Sequence, residues 1–334
     1  MRLSVVIPVF NEPEQVVATI RSATAAIGES SAFAEAEIVV ADDGSTEDVA
    51  GPALAAATTV PVRVERLPQN GGRFKARQAG LAAARGEYVF FLDAGVTVEP
   101  GSLSFLADRL ADGRDVWNGH TILDTRGSPF AHFWSVVSSL AFGDYVDDPR
   151  ETSFGIENFD RFPKGTGCFF APRELMVTSF ASFRTRYEDT RNANDDAPII
   201  RAVAEQRPIN IAPQFAYVYT PRRSLSSFVK HAFHRGIVFV DGHGRRESRF
   251  FPVVVAFFPV SAGVAVAVVK RPVVAPDLLA GSVAIAGIVA ARKRRPLAEV
   301  ASFAALVPVY AAAHGAGMWR GAALAAAKRL RSRT

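Results

Sequence analysis

With a single cysteine, Cys168, in 334 residues, an intramolecular disulfide framework is excluded and a reducing compartment is suited. No secretory signal is expected, because the apolar run in MRLSVVIPVFNE is too short and reads as a strand. There is no internal repeat and no long low-complexity tract. A basic face with interleaved base-stacking aromatics is also missing, which argues against nucleic acid as a partner. One further absence is local. Phe90–Pro100 reads FFLDAGVTVEP, an apolar run that delivers Asp93 to a turn, with Gly95 standing where a second carboxylate would complete a metal-binding pair.

What is present is ample core material: 49% of residues are hydrophobic and 21% charged, enough for one large domain or two ordinary ones. The net charge of +5 is unevenly spread. Positions 292–334 hold nine basic residues and one acid, Glu299, so the rest of the chain is net acidic and the basicity belongs to the tail. A basic tail beside apolar helices reads as contact with anionic lipid.

Up to about residue 225 short apolar runs alternate with helical patterns, as in an α/β layer fold. Strands are expected at Leu3–Val9, Glu37–Ala41, Val62–Leu67 and Tyr88–Leu92. Helices are expected at Glu12–Ile27, Gly72–Ala84 and Pro100–Leu110. The run SPFAHFWSVVSSLAFGDY, Ser128–Tyr145, reads as a core helix, and Cys168, beside Phe169 and Phe170, as a core residue.

Beyond Phe250 the composition changes. Phe250–Val269 carries no charge over 20 residues, the length that spans a hydrocarbon core of roughly 30 Å. Val273–Ala291 is nearly as apolar, and Val300–Trp319 is a third, alanine-rich segment. Arg245, Arg246 and Arg249 precede the first span and Arg292–Arg295 follow the second. A two-span hairpin therefore keeps both clusters on the cytoplasmic side. A full third span would send the Lys328–Arg333 cluster outside, so the third segment is expected to lie in the interface or re-enter.

Three motifs in the first hundred residues put polar groups at strand ends, where open α/β sheets bind ligands. SVVIPVFNE, Ser4–Glu12, is a strand broken by Pro8. VVADDGSTED, Val39–Asp48, ends a strand in two aspartates, of which Asp42 suits either a base or ribose contact or a turn. NGGRFKARQAGLAAARGEYVFFLDA, Asn70–Ala94, makes a turn and places Arg73, Lys75 and Arg77 at a helix start. Cations there oppose the helix dipole, and a nearby anionic ligand would explain them.

In this order and spacing the three motifs resemble the nucleotide-sugar-binding half of glycosyltransferase family 2, over roughly residues 1–240. The resemblance implies a GT-A fold, Rossmann-like, with a mostly parallel mixed sheet and helices on both faces. It divides that part of the chain into a donor-binding half (about 1–115), an acceptor half (about 116–225) and a basic closing segment (about 226–249), and the composition beyond adds a membrane-associated region (250–334). It implies that Asp42 contacts the nucleobase, that Pro8, Val9, Phe10 and Glu12 frame the nucleoside, and that Lys75 and Arg77 lie beside base and phosphates. Asp93 and Ala94 would line the donor site. The family's Asp-x-Asp, whose last acid binds a divalent cation, is here Asp93-Ala94-Gly95. A Mg²⁺ or Mn²⁺ cofactor would then rest on Asp93, directly or through water.

PKGTGCFFAPRELM, Pro163–Met176, resembles the family's acceptor-lining strand, and ANDDAPIIRAVAE, Ala193–Glu205, its acidic motif. Carried over, Asp196 is the first choice and Asp195 the second for the base that deprotonates the acceptor hydroxyl. The bland reading of both is helix-start acids. SFVKHAFHRGIVF, Ser227–Phe239, resembles the segment that closes over the donor diphosphate, with Lys230, His231, His234 and Arg235 within about a turn and a half. A metal site at His231 and His234 lacks an evident third ligand.

The resulting expectation is a membrane-anchored, inverting, hexosyltransferase-like glycosyltransferase of the bacterial type. Its catalytic domain would be cytoplasmic, its donor a UDP- or GDP-sugar, and its acceptor lipid-linked or membrane-proximal, in cell-envelope glycan or glycolipid synthesis. The rival is a non-catalytic sugar-nucleotide-binding or scaffold protein with a degenerate metal motif.

Overall fold

The computed structural model describes every residue except Thr58, Arg222, Glu247 and 332–334. Arg333, part of the basic tail, lies outside the described residues. Four parallel strands, β1 (Arg2–Val9), β2 (Glu35–Asp42), β3 (Val62–Arg66) and β4 (Tyr88–Leu92), form half of an eight-stranded sheet in the order β3-β2-β1-β4. Each overlaps an expected strand within two residues. Alternate side chains feed two different cores, as a pleated strand covered on both faces must. Val5 and Ile7 of β1, with Phe90 and Leu92 of β4, join one cluster. Val6, Val89 and Phe91 join the other.

The chain then builds β5 (Val96–Val98), β6 (Trp117–Asn118), β7 (His120–Leu123), β8 (Thr152–Phe154), β9 (Cys168–Pro172), β10 (Ile209–Ile211) and β11 (Ala216–Tyr219). Strand β9 runs antiparallel between β4 and β6, followed by β10 and the edge strand β8, so the sheet is mixed. A three-stranded sheet, β5-β11-β7, stands apart. Cys168 is buried in the core as expected.

Seven helices accompany the sheets: α1 (Pro13–Gly28), α2 (Ala50–Ala55), α3 (Arg73–Ala83), α4 (Ser102–Ala111), α5 (Pro129–Val146), α6 (Arg173–Ala181) and α7 (Asp196–Ala204). Proline opens α1, where its missing N–H costs nothing, and Val16, Ile20, Ala23 and Ile27 bury one face. Strand order reverses at β1: β2 and β3 lie on one side, β4 on the other. In open α/β sheets such a switch point, at the strands' carboxyl ends, is where ligands bind. Pro8 belongs to it. The β1–β2 ladder continues to Val9, whereas β4 last pairs at Val6, so a residue without an N–H is tolerated there.

The remainder is helical: α8 (Leu225–His243), α9 (Phe251–Lys270), α10 (Val274–Arg292) and α11 (Leu297–Arg331). The last three are long and apolar enough to cross a membrane. Helix α9 is about 30 Å long at 1.5 Å per residue and keeps a single buried residue, Val254. Helix α11 behaves differently. It is continuous through the third apolar segment and tied to the α/β domain at both ends. Near its start Arg295 reaches Asp147 at 3.3 Å and Ser135 at 2.7 Å. Near its end Lys328 donates to the carbonyls of Thr185 and Tyr187, and Arg331 pairs with Glu188 at 2.8 Å. Between them α11 packs on α8 so closely that a Cβ at Gly236 or Gly317 would collide with the other helix's backbone.

Candidate active site

The carboxyl edge of β1 and β2 is organised by polar side chains that bind backbone. Asn11, in the left-handed region at φ 54°, accepts from the amides of Thr46 and Glu47, while its own amide donates to Ser45 Oγ at 2.9 Å. This staples the end of β1 to the loop after β2. Asp43 accepts from the amides of Gly71 and Gly72, both at 2.8 Å, fixing the Asn-Gly-Gly turn that launches α3. Asp42 is wholly buried. Its Oδ1 accepts from Ser45 N at 2.8 Å, and Oδ2 faces Arg66 Nε at 3.5 Å. Pro8 and Val9 are buried beside it, Phe10 is 40% exposed, and Glu12 is partly exposed.

Asp93 leaves β4 on a turn closed by Val96 N to Asp93 O at 3.1 Å. Gly95 has φ +83°, the value a type II turn requires at its third position. A Cβ there would meet only Gln15, at 3.7 Å. The missing carboxylate is therefore a matter of backbone conformation, not of space.

Arg77 is the centre of the site. Its side chain is 0% exposed, on the face of α3 that packs inward. One nitrogen donates to Asp93 Oδ1 at 2.6 Å. The other is hydrogen-bonded to Asp195 Oδ2 and lies 3.6 Å from Asp196 Oδ1. The two expected aspartates thus meet Asp93, a hundred residues away in sequence, through one buried guanidinium. Asp195 stands at the N-cap of α7, yet its carboxylate makes no capping bond. Asn194 fills that role, accepting from Ala197 N at 3.3 Å.

The adjacent carboxylates differ. Asp195 is 2% exposed, and burial raises its carboxyl above the ordinary value more than Arg77 lowers it, with Asp196 adding to the rise. Asp196 keeps 34% of its side chain exposed. Burial pushes it up too, but Arg77, Arg73 and hydrogen bonds from the amide and hydroxyl of Thr166 outweigh that and hold it below the ordinary value. The mutual elevation that adjacency suggests is thus realised at the buried member alone.

Of the α3 cations, Arg73 and Lys75 are exposed, and the charge of Arg73 acts on Asp195 and Asp196. Thr166 is a site residue that sequence reasoning did not single out, and Arg73 was read only as one of three helix-start cations, without a role of its own. Arg73 carried the same signal as its neighbours, a cation at a helix start, whereas Thr166 carried none. The α8 segment approaches this edge. His234 is lowered to about 4 by burial, Arg73 and Arg235, so it is neutral at pH 7. Arg235 stacks over Trp134 at 4.9 Å, and His231 lies 5.3 Å from the same ring. Lys230 is exposed.

For a divalent cation, no group of three or more His, Cys, Asp or Glu converges among the described residues. Asp93 is 35% exposed, and its Oδ2 faces Gly167, where a Cβ would stand 2.9 Å away. One carboxylate oxygen fits a Mg²⁺-type ion that takes its other ligands from phosphates and water, but not a site made by protein alone.

An α/β fold that gathers acidic and basic side chains at its switch point has the arrangement of a site for an anionic ligand. Residues 4–146 match the model of Glycosyl transferase family 2. Among relatives, the chain is 39% identical over 105 residues to the succinoglycan biosynthesis protein ExoO of Rhizobium meliloti (strain 1021), covering 31% of this chain and 28% of that one. It is 35% identical over 116 residues to an undecaprenyl-phosphate 4-deoxy-4-formamido-L-arabinose transferase of Pseudomonas fluorescens (strain SBW25), covering 34% and 33%. The matched part spans about a third of the length of these curated relatives. The crystal structure of S. aureus TarS 1–349 with UDP-GlcNAc compares at a TM-score of 0.48 and 18% identity over 72% of this chain and 67% of that one.

Proposed function

We propose that this protein is a membrane-anchored, inverting glycosyltransferase that moves a sugar from a UDP- or GDP-linked donor to a hydroxyl or phosphate of a lipid-linked or membrane-proximal acceptor. The observation that carries this reading is the junction at Arg77. It brings Asp196, accessible and ionised at neutral pH, to the edge that presents Asp93 and Asp42. In this reading Asp196 takes the proton of the acceptor hydroxyl as its oxygen forms a bond to the anomeric carbon. The bond to the nucleoside diphosphate breaks on the opposite face, inverting the configuration. A phosphate acceptor is already anionic and needs less from the base.

Asp195 and Arg77, both buried, act as positioning residues. Asp42 would meet the base and Pro8, Val9, Phe10 and Glu12 the nucleoside. Arg73, Lys75, Lys230 and Arg235 would face the leaving diphosphate, with His231 and His234 beside them. When bound, a divalent cation would neutralise charge on the diphosphate, and Asp93 would hold it. The relatives' names, one in succinoglycan biosynthesis and one an undecaprenyl-phosphate sugar transferase, support an envelope glycan or glycolipid product.

The apolar, mostly exposed surfaces of α9 and α10 support a two-span hairpin. The ties at both ends of α11 support a helix lying along the domain at the interface rather than a third span. Basic clusters at Arg245–Arg249 and Arg292–Arg295 support a cytoplasmic catalytic domain.

The test is transfer and nucleotide binding in wild type and Asp196→Asn. Turnover should fall about 10²- to 10⁴-fold while calorimetric binding of UDP or GDP is kept. Unchanged turnover would remove Asp196 as the base. A wild-type chain that binds no nucleotide, with or without Mn²⁺, would favour a scaffold, a reading to which the capture of Asp93 Oδ1 by Arg77 lends its one support.

A further inference from the structure

Away from the aspartate cluster, the end of α8 and the surfaces of α9 and α11 border an open groove of about 560 Å³, within the size range of small-molecule sites. Its walls are mostly apolar, with Arg186 and Arg329 at one end. Val254 and Phe258 of α9 face Ala325 and Leu330 of α11, and the small residues of α11 leave the room. Its mouth is the reverse: Arg186, Arg245, Arg246 and Arg329 line an adjoining hollow. These guanidiniums crowd one another. Arg186 is held below the ordinary arginine value by burial and by Arg329 and Arg245, with Asp241 the acid acting against them. An apolar slot beside exposed membrane helices, with a cationic mouth where α9 begins, is complementary to an amphiphile with an anionic head.

We propose that this groove seats one anionic phospholipid, its phosphate on the arginine mouth and an acyl chain between α9 and α11. The inference rests on the reading that α9 enters the bilayer. The lipid is a bound partner rather than the acceptor, since the groove shares no residue with the catalytic edge. The two are joined through Asp241. That buried carboxylate accepts from Arg186 N at 2.6 Å and from Asn194 N at 2.8 Å, immediately before Asp195. Occupancy would steady the loop that carries both catalytic-edge aspartates.

The experiment begins with liposome flotation of the full chain, followed by native mass spectrometry after reconstitution with phosphatidylglycerol or phosphatidylcholine. Expected is flotation, retention of one phosphatidylglycerol per chain, and no comparable retention of phosphatidylcholine. The double variant Arg245→Gln/Arg246→Gln should weaken retention about thirtyfold. Ala326→Trp, which fills the groove and spares the arginines, should abolish it. Equal retention of phosphatidylcholine, or wild-type retention in both variants, would overturn the proposal. So would displacement of phosphatidylglycerol by equimolar polyprenyl phosphate, which would make the occupant an acceptor lipid. Failure to float would instead sink the membrane reading and the groove with it. Flotation without lipid retention would sink the groove alone.

Discussion

The carboxyl edge of the sheet and the α8 layer hold their charges in opposite ways. At the sheet edge, charges are satisfied by partners of fixed geometry: Asp43 by two loop amides, Arg77 by three carboxylates. In the α8 layer they rest on rings or are suppressed. Arg235 lies on Trp134, while His234 and His243 are both neutral at pH 7. The first arrangement sets positions before any ligand arrives. The second leaves cations and latent cations whose state an arriving anion can change, since an anion favours the charged form of a histidine. The contrast separates a rigid floor from a responsive roof.

The strongest way to break the comparison is to remove the floor's centre. Arg77→Met should cost about 3–5 kcal/mol, because Asp195 would be left buried without its partner. Chemical denaturation measures this directly, and a loss under 1 kcal/mol would mean that Asp195 simply takes up a proton. The roof is tested by pH. His234 and His243 have folded values of about 4 against roughly 6.5 unfolded. Between those limits the unfolded chain binds protons that the folded chain refuses, so stability is full above about pH 6.5 and falls as pH drops toward 4. Each histidine should contribute on the order of 1–3 kcal/mol. His234→Gln should flatten part of that slope and leave the floor's behaviour unchanged.

The smallest effect sharpens the question of the cation. Gly95→Asp should cost about 1 kcal/mol for a side chain at positive φ, a conformation aspartate tolerates better than most residues. The new carboxylate has room, with Gln15 at 3.7 Å. Calorimetry of UDP and GDP with EDTA or Mn²⁺ should show a larger metal dependence in the variant than in wild type. Equal dependence would mean that Asp93 already holds the ion without a second acid.

Much of this was legible early because it is local. The apolar run SVVIPV, the turn residues after Asp42 and Asn70, and the uncharged run after Phe250 each express a preference over a few neighbouring positions. The aspartates at strand ends followed from those elements. Less legible was what each charged residue would do. Arg73, Lys75 and Arg77 read alike along α3, yet only Arg77 faces inward, and Asp195 and Asp196 diverge by a single step along α7. The third apolar segment had the composition of a span, whereas the ion pairs and hydrogen bonds at both ends of α11 hold it against the domain.

By itself, then, the sequence determined the α/β alternation, the polar strand ends and the long apolar helices after Phe250, because periodicity and composition act over short distances along the chain. Only the tertiary structure decided that Arg77 is sealed among Asp93, Asp195 and Asp196, that Asp196 is the accessible carboxylate of the pair, and that His234 is neutral. Those outcomes depend on burial and on charges brought together from positions a hundred residues apart, and neither is written in any local pattern.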